Sequence, residues 1–328
     1  MSSNKKVLAI LCARTTSDRL EHKVLAKTTD DWTLLKQCIW RLKMAQSVNT
    51  IVVATSTERS DDPIELAAKA EGVPVYRGSL ENVAERMWKA MEEHGRGEPY
   101  IYRAMGDQPY MDWDALDRST ALMMEHKWDW LMALAFKEDP VYGAGIAPWS
   151  YNAFQAIRSN STGDENEHVG MWLRRNLAKF NYGLIDLPHW CYRPYRLEVD
   201  TVADLSFVTA LHAQMEAGFK PLKTTIRYLD KNSRLSEINS HIEEKTGTYT
   251  SYTESEIKQW QKDYAGRPVV WSDVAGLIGK IETAKQLAYL CPKCGGALIA
   301  LHITKGDLEL ECIQCSHKKK YFSAKPKR

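Results

Sequence analysis

Three short segments carry most of the residues able to do chemistry. The first is Ala13-Arg14-Thr15-Thr16-Ser17-Asp18-Arg19-Leu20-Glu21-His22-Lys23, directly after the apolar run Val7 to Cys12. A loop leaving a buried strand tip exposes backbone N–H groups, and Arg14, Arg19 and Lys23 add the positive charge that suits a triphosphate. An ordinary solvated loop has the same composition, and no glycine pattern of the Walker or dinucleotide type decides between the two. The second segment is Arg103-Ala104-Met105-Gly106-Asp107-Gln108-Pro109, past the run Tyr100 to Ala104. A carboxylate there suits Mg2+, which takes one or two carboxylates together with phosphate oxygens. Asp107 is thus the first candidate ligand, with a simple chain reversal as the other reading. The third is Arg196-Leu197-Glu198-Val199-Asp200-Thr201, where Asp200 ends an extended run as a second ligand or as a helix cap.

A fourth group lies near the end. Cys291-Pro-Lys-Cys294 and Cys312-Ile-Gln-Cys315, separated by seventeen residues, have the spacing of a four-cysteine zinc ribbon. Leu298 to Ile303 and Leu308 to Glu311 alternate between them as ribbon strands do. So short a segment buries too little apolar surface to fold alone, so bound Zn2+ would supply its folding free energy. Four unrelated buried thiols are the alternative. Lys318 to Arg328 holds six basic residues and no acidic one, which suits contact with nucleic acid or another polyanion, or a plain solvated tail.

These residues need a scaffold that brings strand tips together. Val7 to Cys12, Ile51 to Thr55, Val73 to Tyr76, Tyr100 to Ala104 and Leu131 to Ala135 read as strands. Trp32 to Ala45, Asp62 to Glu71, Glu81 to His94 and Asp114 to His126 place apolar residues at helical spacing. The alternation predicts an α/β fold with a mainly parallel sheet, helices on both faces and ligands at the carboxyl ends of the strands. Pro148 to Arg158 and Glu167 to Lys179 read as further helices, and Leu187 to Tyr195 as an irregular substrate wall. Arg196 to Val199 reads as a strand, and Thr201 to Gly218 as a helix begun by Thr201 and Asp204. The expected organisation is a sheet domain over 1–225, a helical extension and linker over 226–285, and the ribbon with its basic tail over 286–328.

Composition narrows the class. With 44% hydrophobic and 26% charged residues among 328, the chain is globular rather than disordered or collagenous. No run approaches the roughly 18 apolar residues of a membrane span, so no membrane partner is expected. The first apolar stretch lacks a cleavage pattern and reads as a strand, not a signal peptide. Cys12, Cys38 and Cys191 stand alone and the other four cysteines are paired for metal, which points to reduced thiols and the cytoplasm.

Together the three segments resemble the cytidylyltransferase family that includes CMP-Kdo synthetase, CMP-acylneuraminate synthetase and the spore-coat polysaccharide protein. The family opening, Ala-Arg-x-x-Ser-x-Arg-Leu-Pro-Gly-Lys-x-Leu, is matched at Ala13, Arg14, Ser17, Arg19, Leu20, Lys23 and Leu25. Similarity continues through Ile51 to Thr55, Asp61 to Ile64, Val73 to Gly78, Asn82-Val83 with Arg86, Gly106-Asp107 with Pro109, Glu167-His168-Val169, and Val199 to Thr201 with Asp204.

The resemblance implies a doubly wound nucleotide-binding sheet and a homodimer. It further implies a triphosphate gripped by Arg14 and Lys23, with Ser17, Arg19, Arg77, Gly78, Arg86 and Arg103 lining the nucleotide, and Mg2+ on Asp107 and Asp200. The implied reaction transfers CMP from CTP to a small acidic sugar, nonulosonic or Kdo-like, with release of pyrophosphate. Thr16 replaces a glycine of the pattern, Glu21-His22 replace its Pro-Gly, and Asn166 replaces an arginine that bears on the acceptor. His168 is a candidate general base or a structural residue. A different nucleotide or acceptor, or a scaffold whose ribbon binds nucleic acid or protein, remain the competing readings.

Overall fold

A computed structural model describes residues 6–17, 19–133, 141, 143–186, 189–191, 193–242, 269–271, 298–304, 307–312 and 318–322. The chain divides into two compact units, one over 1–131, 138–182 and 190–244, the other over 132–137, 183–189 and 245–328. It opens with β1 (Val7–Cys12), makes a small hairpin of β2 (Lys27–Thr29) and β3 (Trp32–Thr33), and enters α1 (Leu34–Met44). Then alternate β4 (Val48–Ser56), α2 (Asp62–Ala70), β5 (Val75–Gly78), α3 (Val83–His94), β6 (Tyr100–Met105) and α4 (Trp113–His126). There follow β7 (Trp130–Ala133), β8 (Trp149–Ser150), α5 (Tyr151–Asn160), α6 (Met171–Arg175), β9 (Tyr182–Asp186), α7 (Val202–Met215) and α8 (Leu222–Lys231). The described elements end with β10 (Val269–Trp271), β11 (Leu298–Thr304), β12 (Asp307–Cys312) and β13 (Lys318–Phe322).

In the first unit β1 is central. All its residues are buried, as a strand covered on both faces requires, and it pairs in parallel with β4 on one side and β6 on the other. β5 extends the parallel run beyond β4, while β8 lies antiparallel to β6. Helix α1 packs on α2 and α4, and α3 packs on α5. Helix starts follow local chemistry: Thr33, Asn82, Asp112 and Ser150 cap α1, α3, α4 and α5 through side-chain oxygens that accept backbone N–H bonds. Beyond the sheet, Phe207, Val208 and Leu211 of α7 share a core with Leu222, Ile226 and Leu229 of α8. Each such side chain stabilises by about 1.5–3 kcal/mol on burial. The expected boundary at 225 therefore falls inside α8.

Several expectations differ from the structure. The helix expected from Trp32 starts at Leu34, because Thr33 is its cap and Trp32 pairs with Thr29 in the hairpin. The helix expected over Glu167 to Lys179 is broken: only Met171–Arg175 is α-helical, after Gly170 at φ +107°. Arg196 to Val199 is not a strand, since among its residues only Arg196 forms an isolated bridge. Nor is Asp200 the cap of α7: Thr201 is, in a reciprocal capping box with Asp204.

Within the second unit β9 and β10 pair in parallel. Strands cover the stretches expected to be extended there, as β11 and β12, joined antiparallel by β13. That third strand takes up the start of the basic tail, with Lys318 in register with Glu311 and Lys320 with Glu309. Cys312 ends β12 opposite Leu298, whereas Cys291, Cys294 and Cys315 lie outside the described residues. Among those described, no helix is long and apolar enough to cross a membrane.

Candidate active site

Strand order decides where the site lies. The chain runs outward from β1 through β4 to β5, then returns to β6 on the other side of β1. The order thus reverses between β1 and β6, whose carboxyl ends open a crevice. The loop carrying Arg14 to Lys23 leaves β1 there, and the turn carrying Asp107 leaves β6. Gly106 lets the two touch, because a Cβ at that position would stand 3.1 Å from both Ala13 Cβ and Val24 Cγ1. The third segment is tied to the same turn by Val199 N–H, which donates to the Asp107 carbonyl at 2.9 Å.

Asp107 and Asp200 converge. Lys23 Nζ lies 2.7 Å from Asp107 Oδ2 and 2.6 Å from Asp200 Oδ1. Glu198 joins them, so that one oxygen from each of Asp107, Glu198 and Asp200 lies within 4.8 Å of the others. Gln108 Nε2 donates to Glu198 Oε2 at 2.8 Å, and Asp107 Oδ1 is buried without a hydrogen-bond partner. Three hard oxygen donors, one of them orphaned, fit a divalent ion such as Mg2+. Glu198 was not assigned from the sequence. Its signal was the two-residue spacing from Asp200, which puts both side chains on one side of an extended segment.

Cations crowd Asp200. Arg19 Nη2 and Arg196 Nη2 lie 2.7 Å and 2.8 Å from its Oδ2. Behind it Arg196 Nε reaches Asp204 Oδ1 at 3.0 Å, and Asn239 Nδ2 donates to the same oxygen at 2.9 Å. Burial works to raise the Asp200 carboxyl, but Lys23 and Arg19 hold it below the ordinary aspartate value. Burial likewise works to lower Lys23, and Asp107 and Asp200 lift it above an ordinary lysine. Glu198 is pushed well above the usual carboxylate range by burial and by its two acidic neighbours.

A second cluster is mainly basic. Arg86 is buried, and its Nη1 donates to the carbonyls of Ser79 and Leu80. Burial lowers its pKa, and the like charges of Arg103 and Arg14 lower it further, so the three guanidiniums are electrostatic neighbours. Arg86 Nε and Arg103 Nε are buried without partners. Arg14 Nη2 pairs with Glu167 Oε1 at 3.0 Å, and Arg103 Nη2 donates to the Glu167 carbonyl at 3.4 Å. Gly78 gives Arg86 its room, since a Cβ there would meet Arg86 Cγ at 3.1 Å.

Other assigned residues sit differently. Arg77 is engaged by Asp62 Oδ1 at 2.6 Å, Glu65 Oε2 at 3.0 Å and the carbonyls of Ser56 and Glu58, so it ties β5 to α2. Ser17 is half-buried in the loop after β1, while Thr16 and Glu21 are exposed. His22 replaces the glycine of the family pattern yet keeps a glycine-type backbone, at φ +55°. His168 lies in the turn before α6, with its N–H donating to the Asp164 carbonyl.

The loop's own anchor was also missed. Asp61 Oδ1 accepts from the Thr15 N–H and hydroxyl, both at 2.7 Å. Its Oδ2 accepts from Thr55 Oγ1 at 2.9 Å, Ser56 N–H at 3.1 Å and Ser56 Oγ at 2.5 Å.

A parallel sheet whose switch-point crevice gathers carboxylates beside guanidiniums is the build of a nucleotidyltransferase. The chain belongs to the cytidylyltransferase family, whose model matches residues 8–214. The spore coat polysaccharide biosynthesis protein SpsF of Bacillus subtilis is 30% identical over 224 residues, covering 66% of this chain and 89% of the relative. An uncharacterized protein of Methanocaldococcus jannaschii is 27% identical over 243 residues, covering 74% and 97%. Among solved structures, a cytidylyltransferase from Leptospira borgpetersenii matches with a TM-score of 0.66 at 25% identity, covering 73% of this chain and 100% of that one.

Proposed function

We propose that the protein transfers CMP from CTP to an acidic sugar of the nonulosonic or Kdo-like class, releasing pyrophosphate. The observation that carries this reading is the meeting of Asp107 and Asp200 at Lys23 Nζ, together with the cluster of Arg14, Arg86 and Arg103. The relative named for spore coat polysaccharide biosynthesis supports a sugar acceptor.

In this reading Arg14, Arg86 and Arg103 bind and orient the triphosphate, with Arg19, Lys23 and Ser17 facing it from the loop. Asp107, Asp200 and Glu198 would hold Mg2+, which supplies charge neutralisation at the phosphate oxygens. A sugar hydroxyl attacks the α-phosphorus in line, forming one P–O bond as the bond to pyrophosphate breaks, and the hydroxyl proton passes to solvent. Fixed guanidiniums stabilise the charge that builds on the phosphoryl oxygens, and positioning contributes the rest. Arg77, although matched to the family pattern, takes a structural part through Asp62 and Glu65.

The C-terminal cysteines Cys291, Cys294, Cys312 and Cys315 are read as a Zn2+ site, testable by zinc content before and after chelation. A homodimer follows from the family resemblance and is testable by light scattering.

The decisive assay supplies each of the four nucleoside triphosphates with Mg2+ and a panel of acidic sugars, and follows pyrophosphate. Release that needs both CTP and an acidic sugar is the expected result. Release with another nucleotide alone, or none with any, would overturn the assignment.

A further inference from the structure

Lys23 stands where the cation of the proposed site belongs. Its Nζ is 2.7 Å from Asp107 Oδ2 and 2.6 Å from Asp200 Oδ1, two of the three carboxylates that the proposed function gives to the metal. Magnesium sits about 2.0–2.1 Å from its oxygen ligands. An ammonium held between the same two oxygens would share their space and repel the ion, so the two occupants exclude each other. The remaining oxygen of Asp200 gives no way round this, because Arg19 and Arg196 already occupy it at 2.7 Å and 2.8 Å. Only Asp107 Oδ1 is left without a partner, and it is buried.

We propose that Lys23 is a tethered stand-in for the metal: in the nucleotide-free protein its ammonium fills the divalent cation's place, and an arriving polyphosphate draws it away. This rests on the reading of Asp107 and Asp200 as metal ligands. A tethered cation competes at high local concentration, so without nucleotide a free divalent ion binds weakly to the crevice. Polyphosphate changes the balance, because it offers the ammonium new anionic partners in exchange for the carboxylates. Arg14, Arg86 and Arg103 are not part of the exchange and provide a fixed anion site. Metal and nucleotide therefore bind with positive coupling, and each raises the other's affinity by the same factor. Lys23 thereby has two successive partners, which accounts for a lysine that is buried among carboxylates yet belongs to a phosphate loop.

The test uses the full-length protein without nucleotide. Mn2+ is titrated in, and the free aquo ion is followed by electron paramagnetic resonance, for the wild type, Lys23→Met, and Lys23→Met combined with Asp107→Asn. Lys23→Gln, which keeps a polar side chain among the carboxylates, is carried alongside in case the methionine variant does not fold. A Lys23 variant is expected to bind Mn2+ tighter than wild type by a factor of about 5 to 150, the usual size of such coupling. Adding Asp107→Asn should cancel the gain. Unchanged Mn2+ affinity in a folded Lys23 variant, with Asp107→Asn still weakening it, would overturn the stand-in role and leave the metal site. Mn2+ affinity indifferent to both positions would overturn the metal site and this role with it.

Discussion

Replacing Asp61 by asparagine is expected to destabilise the protein by about 3 kcal/mol and to loosen the loop that carries Arg14, Arg19 and Lys23. The number comes from its five donors. Oδ1 serves the N–H and hydroxyl of Thr15, and Oδ2 serves the hydroxyls of Thr55 and Ser56 and the Ser56 N–H. Asparagine keeps one carbonyl oxygen and puts an NH2 in the other place. Hydroxyls can turn to accept from that NH2, but a backbone N–H cannot. Whichever way the amide is set, the N–H of Thr15 or of Ser56 is left buried without an acceptor, at about 1–3 kcal/mol, and the surviving bonds lose their ionic strengthening. The measurement is the urea midpoint at pH 7 followed by tryptophan fluorescence, with an unchanged m-value confirming that only stability moved. Acidification supplies an internal control. Burial works to raise the Asp61 carboxyl, but the bonds from Ser56, Thr15 and Thr55 hold it below the ordinary aspartate value. The stability it contributes is complete above the unfolded value, about 3.9, and is lost as pH falls through the lower folded value. Wild type and variant should therefore draw together below about pH 4. A loss under about 1 kcal/mol, or a gap that persists in acid, would refute the anchoring role.

Three other outcomes are expected. Asp107→Asn should lower kcat for pyrophosphate release by about 10²- to 10³-fold while far-UV dichroism stays native; a change under about tenfold would remove Asp107 from the chemistry. His22→Gly should raise stability by about 1 kcal/mol, because a left-handed backbone strains a side chain but not glycine; an unchanged urea midpoint would contradict this. His212 is buried, with its pKa lowered to about 4 by burial and by Arg41. It stays neutral in the fold while the unfolded chain protonates, so stability should fall as pH drops from about 6.5 toward 4, by about 3 kcal/mol in total. His212→Gln should flatten that slope, and an equally steep loss in the variant would assign it elsewhere.

Legibility followed locality. β1 was readable because its apolar residues form one uninterrupted run, and α7 because Thr201 and Asp204 cap it from three residues apart. Arg196 to Val199 looked like a strand for the same local reasons. Its backbone partner is instead the Asp107 turn, and no residue pattern within the segment announces that pairing. Gly170 broke the helix expected around it, a signal present in the sequence but outweighed by the apolar spacing. Asp107, Asp200 and Lys23 were readable as charged residues in a family pattern. The roles of Glu198 and Asp61 emerged only when the fold brought distant loops together, although Glu198 stands two residues from Asp200 and Asp61 lies in a segment that matches the family pattern. Arg77 shows the converse, since a matched arginine is held by Asp62 and Glu65.

What the fold adds is an uneven satisfaction of charge. Behind the crevice the network of Arg196, Asp204 and Asn239 is paired and buried, so it fixes the backbone around Asp200 without remaining free to bind. At the front the pairing is incomplete: Asp107 Oδ1 on the acidic side, and Arg86 Nε and Arg103 Nε on the basic side, are buried without partners. Each such atom costs about 1–3 kcal/mol. A fold that keeps orphaned groups of opposite sign in two clusters suits the ligand of the proposed function, a cation carried on a polyanion. Either component alone satisfies one cluster and leaves the other strained. In the proposed reaction the free energy released when both are satisfied would be available for holding the α-phosphorus in line with its attacker, which is where a transferase needs it.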